Sequence, residues 1–76
     1  MILTELQLHN EINDYMQVYF ATGNYFLAHL YKGENNKIIL GYFLKWEMRD
    51  KEKPFNEKLK SNYPAFEWEI RTVYDY

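Results

Sequence analysis

The spacing of hydrophobic and polar positions changes period several times along the chain. Near the C-terminus, Phe66, Trp68, Ile70 and Thr72 alternate with Glu67, Glu69, Arg71 and Val73. This two-residue repeat predicts a strand over 66–73 with one apolar face and one mostly charged face. At the other end, Leu8, Ile12, Tyr15 and Tyr19 fall at i, i+4, i+7 and i+11, one face of a helix. Thr4 followed by Gln7 matches a capping box that would start that helix. Tyr15 to Phe20 is rich in aromatic and branched residues, which favours a strand instead. The pattern therefore predicts a helix over 4–13, ended by Asn13-Asp14, and a strand over 15–22. A single helix continuing to Thr22 is the competing reading.

Punctuation by glycine, asparagine and proline divides the rest. Thr22-Gly23-Asn24-Tyr25 fits a two-residue hairpin in which glycine supplies a positive φ. Residues 33–36, Gly-Glu-Asn-Asn, fit a second hairpin. Strands over 25–32 and 37–48 follow from these turns. Arg49 to Lys53 is a run of charge that belongs in solvent. Pro54 suits the first turn of a helix over 54–62, and Pro64 prevents that helix from continuing. The expectation is one compact α+β domain over 1–76 in the order α-β-β-β-α-β. Its sheet would be mainly antiparallel, a three-stranded meander plus a C-terminal strand, with two short helices.

The turns also predict a register. With Lys32 opposite Lys37, Tyr31 meets Ile38, His29 meets Leu40 and Leu27 meets Tyr42, and opposed residues share a face. With Thr22 opposite Tyr25, Phe20 meets Leu27 and Val18 meets His29, so one face would carry Met16, Val18, Phe20, Tyr25, Leu27, His29, Tyr31, Ile38, Leu40, Tyr42, Leu44 and Trp46. The other would carry Tyr15, Tyr19, Ala21, Phe26, Ala28, Leu30, Ile39, Gly41 and Phe43. Both lists are apolar, whereas a sheet with one solvated face alternates with polar residues. Part of this sheet is therefore expected to be covered by a partner or by a second copy of the chain.

Composition sharpens this picture. The 76 residues contain no cysteine, so neither a disulfide nor a thiolate zinc site can stabilise the fold. Eight Tyr, five Phe and two Trp are the evident substitute, because aromatic side chains bury large areas. Net charge is only −2, which together with the aromatic content argues against disorder. No apolar run approaches a membrane span, and no basic start with a long apolar stretch marks a leader. A cytoplasmic protein is expected. Charge is uneven: residues 1–31 sum to −3, residues 32–60 to +3 and residues 61–76 to −2.

Candidate chemistry is sparse. His9 and His29 belong to no metal-ligand motif, and His29 in an apolar strand is expected as a buried, hydrogen-bonded histidine. Glu67 with Glu69, and Asp50 with Glu52, are carboxylate pairs, but alternating glutamates also serve to blunt strand edges. Ser61 is the only serine and sits in no nucleophile motif. The three glycines form no phosphate-binding loop. No enzyme activity, cofactor or metal is expected.

A non-enzymatic protein-binding module is the leading reading, with Tyr25, Tyr31, Tyr42, Trp46, Glu67 and Glu69 as its contact residues. Aromatic residues are enriched at protein interfaces because they combine large area with few torsions. Compact, cysteine-free, aromatic-rich and mildly acidic, the chain looks like small phage or mobile-element proteins that disarm host defences, anti-CRISPR inhibitors included. That likeness is one of general character and implies inhibition of a host complex without assigning any residue. The alternative is a nucleic-acid-binding domain that uses Lys45, Arg49, Lys51, Lys53, Lys58 and Lys60 around Trp46 and Phe55. Interleaved acidic residues and a pI near 5.6 count against it. A third reading is a self-associating structural subunit, a homodimer for example. No membrane partner is expected.

Overall fold

The computed structural model describes residues 4–75. Helix α1 spans Glu5–Phe20. Its start is the expected capping box: the Thr4 hydroxyl accepts from the Gln7 N–H at 3.1 Å, and the Gln7 side chain accepts from the Thr4 N–H at 2.9 Å. Leu8, Ile12, Met16 and Phe20 recur every fourth position and are all buried. Residues 15–22, expected as a strand, thus complete the helix up to Phe20. The β preference of these residues is overridden by tertiary packing. Tyr19 meets Phe55 of the second helix edge-on at 5.9 Å, and Tyr15 accepts a hydrogen bond from Asn62. The helix ends at Ala21 (φ 69°), and the Asn24 side chain donates to the Phe20 carbonyl at 2.8 Å.

Strands β1 (Tyr25–Lys32) and β2 (Lys37–Lys45) form the expected antiparallel hairpin. Its turn over residues 33–36 holds Asn35 and Asn36 at positive φ, a region that asparagine tolerates well. Strand β2 stops at Lys45, short of the expected residue 48, because Trp46–Lys51 wind into a 3-10 segment. Helix α2 follows over Glu52–Asn62, with Pro54 in its first turn and Pro64 just beyond its end. Strand β3 (Glu67–Asp75) then closes the fold.

The sheet order is β1-β2-β3, with β2 in the centre. β3 pairs with β2 in parallel, from Lys37–Glu67 to Lys45–Asp75. The antiparallel expectation therefore holds for the hairpin and fails for the last strand. Residues 46–66 carry the chain back along the sheet, so β3 starts beside the start of β2. A helical crossover of this kind is what parallel neighbours require.

The hairpin register holds in one half and shifts in the other. Leu27 pairs with Tyr42 as expected, but a bulge follows, and His29 then meets Gly41 while Tyr31 meets Ile39. One extra residue moves every later side chain of β1 to the opposite face. The core contains the α1 stripe, Ile38, Leu40, Tyr42 and Leu44 of β2, and Phe55 and Leu59 of α2. Phe20 sits at its centre, with its ring centroid 4.9 Å from Phe55 and 5.8 Å from Tyr42. Burying each such large apolar side chain stabilises the fold by about 1.5–3 kcal/mol. All of these β2 side chains point to one face, so both helices cover the same side of the sheet.

Candidate interaction surface

Among the described residues no helix lies over the other side of the sheet. The strand pairing places Phe26, His29 and Tyr31 of β1 there, with Lys37, Ile39, Gly41, Phe43 and Lys45 of β2 and Glu67, Glu69, Arg71, Val73 and Asp75 of β3. Phe26 is 65 % exposed, Val73 52 %, Tyr31 48 % and Phe43 42 %. Phe26, Phe43 and Val73 form one contiguous row, because Phe26 pairs with Phe43 and Phe43 with Val73 across the strands. The Phe26 and Phe43 rings lie 6.3 Å apart. Clustered large hydrophobics on a soluble surface mark an interaction site, whereas scattered ones do not.

The bulge gives the patch its second half. It turns His29 and Tyr31 outward, with ring centroids 6.3 Å apart. His29 is exposed, contrary to the expected buried histidine, and its ring lies over Gly41. Only a residue without a side chain leaves room for it there.

Charges border the aromatic residues and neutralise one another. Lys37 pairs with Glu69 at 3.1 Å, Arg71 pairs with the same carboxylate, and Lys45 pairs with Asp75 at 3.3 Å. Lys37, and after it Arg71, holds the Glu69 carboxyl below the ordinary glutamate range. Lys37, Lys45 and Arg71 balance Glu67, Glu69 and Asp75 in formal charge.

The residues expected at a protein contact do not share one face. Tyr31, Glu67 and Glu69 lie on the open face. Tyr25 and Tyr42 lie on the helix side, because Tyr25 opposes Leu44 and Tyr42 shares the face of Leu40 and Leu44 on β2. Tyr25 donates to Asn13 Oδ1 at 2.9 Å, and the buried Tyr42 donates to Asn56 Oδ1 at 3.3 Å. Trp46 sits at the end of the sheet, edge-on to Tyr74 at 5.3 Å, with the Arg49 guanidinium 4.6 Å from its ring centroid. Phe26, Phe43 and Val73 belong to the patch but were not legible as contacts. In sequence both faces of the hairpin are apolar, and only the position of the helices separates them.

The basic residues of the nucleic-acid reading are dispersed. Lys45 is tied to Asp75 and Arg49 is stacked on Trp46. On α2, Lys58 lies about 140–160° around the helix axis from Lys53 and Lys60, so the three make no stripe. Concavities are small. One of about 150 Å³ lies at the Gly23–Tyr25 end of the open face, and one of about 260 Å³ lies beside Tyr15 and Val18 on α1. Both are below the usual size of a small-molecule pocket. No helix among the described residues is long and apolar enough to cross a membrane.

Comparison of the chain with models of protein families, with curated proteins and with solved structures finds no match in any of the three.

Proposed function

We propose that the chain is a cytoplasmic, non-enzymatic protein-binding module that docks its partner on the open face of the sheet. The supporting observation is the exposed Phe26–Phe43–Val73 row beside Tyr31 on a face whose formal charges balance. Rigid aromatic side chains on a sheet offer contact area at low entropic cost. A face with balanced charge has little pull on phosphate, which dominates nucleic-acid affinity. It suits the apolar centre of a protein interface with a polar rim. Blocking a larger enzyme or host-defence complex is the use that the general character of the sequence suggests for such a module.

The test is capture of partners from host lysate by the tagged chain, with and without nuclease, in parallel with the variant F26S/F43S. A stoichiometric protein that survives nuclease and is lost with F26S/F43S supports the reading and names the target. Retention of nucleic acid that is insensitive to F26S/F43S overturns it in favour of the Lys45–Lys60 segment.

A further inference from the structure

Strand β3 forms one edge of the sheet, and no strand among the described residues lies beside its outer backbone N–H and C=O groups. Its nine residues keep an unbroken register against β2, without proline or bulge. The opposite edge, β1, is interrupted by its bulge after Leu27. A long, regular edge is a template for another strand unless its side chains forbid the pairing. Here the side chains discriminate among pairings rather than forbidding all.

We infer that two copies of the chain associate through antiparallel pairing of β3 with β3, centred on Ile70, to give one continuous six-stranded sheet. A two-fold ladder between identical strands requires opposed residues to turn their backbone groups the same way. The axis must therefore pass through a residue facing its own copy. Centring on Glu69 sets Glu69 against Glu69. Centring on Arg71 sets Arg71 against Arg71 and Glu67 against Asp75. Centring on Thr72 sets Glu69 against Asp75. Each of these registers brings like charges within cross-strand contact, which is destabilising.

Centring on Ile70 is free of this conflict. Centring on Val73 is too, but it pairs only residues 71–75 of the strand, whereas centring on Ile70 pairs residues 67–73. The Ile70 register sets Glu69 against Arg71 of the second copy, twice by symmetry, and Glu67 against Val73. On the helix side it sets Ile70 against Ile70 and Trp68 against Thr72. These helix-side residues are only half-buried in the single chain, so they have apolar surface left to cover. The contact is isologous and closes at two copies, as most soluble homo-oligomers do. It uses the sheet edge, shares Val73 with the proposed partner row and leaves Phe26, Phe43 and Tyr31 accessible, so F26S/F43S separates the two.

Sedimentation equilibrium on the natural chain, R71E and E69R/R71E tests the assignment, with circular dichroism to confirm that each is folded. The natural chain is expected to dimerise. R71E keeps the Lys37–Glu69 pair but places Glu against Glu twice, and should raise the dimer dissociation constant about tenfold or more. The swap E69R/R71E restores opposite charges in the same register and should recover the dimer. A natural chain that is monomeric at every concentration overturns the inference. So does a dimer that is indifferent to R71E yet dissociates with F26S/F43S, which would place the contact on the open face.

Discussion

His29 lies across the backbone of Gly41: a Cβ built on Gly41 would fall 2.4 Å from His29 Cε1 and 2.7 Å from Nε2. The two residues are cross-strand partners just past the bulge. The missing side chain on β2 is thus replaced by a ring from β1, which also covers the glycine, since Gly41 is buried although it lies on the open face.

Gly41→Ala should therefore force the His29 ring away and destabilise the fold by about 1 kcal/mol in urea unfolding. In a His29→Ala background the clash is gone. The same substitution should then stabilise by about 0.5–1 kcal/mol, because glycine within a strand is costly. A change of sign between the two backgrounds is the expected result, and equal effects would show that the ring does not occupy the site.

The two sides of the sheet should respond differently to loss of aromatic residues. Phe20→Ala removes the ring at the centre of the core and should cost about 3–5 kcal/mol. Phe26→Ser, on the open face, should cost about 1 kcal/mol, most of it the tilted ring contact with Phe43. Chemical denaturation of both variants makes the comparison.

Ala21 ends α1 at φ 69° and ψ 151°, a conformation that side-chain-bearing residues rarely adopt. Ala21→Gly should relieve this and raise stability by about 1 kcal/mol, even though glycine loses more chain entropy on folding. Thermal melts would show it as a higher Tm.

Alkaline pH should destabilise the fold through Tyr42. Burial raises its phenol pKa well above the ordinary tyrosine value. The folded state therefore holds this proton more tightly than the unfolded chain does. The resulting stability is complete below the unfolded pKa, near 10, and is lost as pH rises from there towards the folded value. Urea midpoints measured at rising pH should fall above pH 10 or so, and less steeply in Tyr42→Phe. Tyr63, raised by burial and then by its hydrogen bond to Glu11, should add a weaker component of the same sign.

Features with a local cause were legible in the sequence. The Thr4–Gln7 cap, the turn over residues 33–36, the helix around Pro54 and the alternating last strand each follow from neighbours within a few positions. What escaped depends on distant contacts. Tyr15 and Tyr19 are helical because α2 receives them. β3 is parallel because a crossover decides its direction. The bulge between Leu27 and His29 carries no turn residue to announce it, yet it decides that Tyr31 faces outward. Of the contact residues read from the sequence, Tyr31, Glu67 and Glu69 reached the open face through their strand positions. Tyr25 and Tyr42 were drawn to the helix side by the register.

The parallel pairing of the last strand also sets the order in which the molecule can assemble. The β1–β2 hairpin closes over residues 33–36, whereas β3 must return across residues 46–66. Closing the longer segment costs about 1.5 kcal/mol more chain entropy. A chain leaving the ribosome can dock α1 on the hairpin early, but one side of β2 stays unpaired until Asp75 has been synthesised. The central strand, most deeply buried in the finished fold, is thus the one whose flank waits longest for its neighbour.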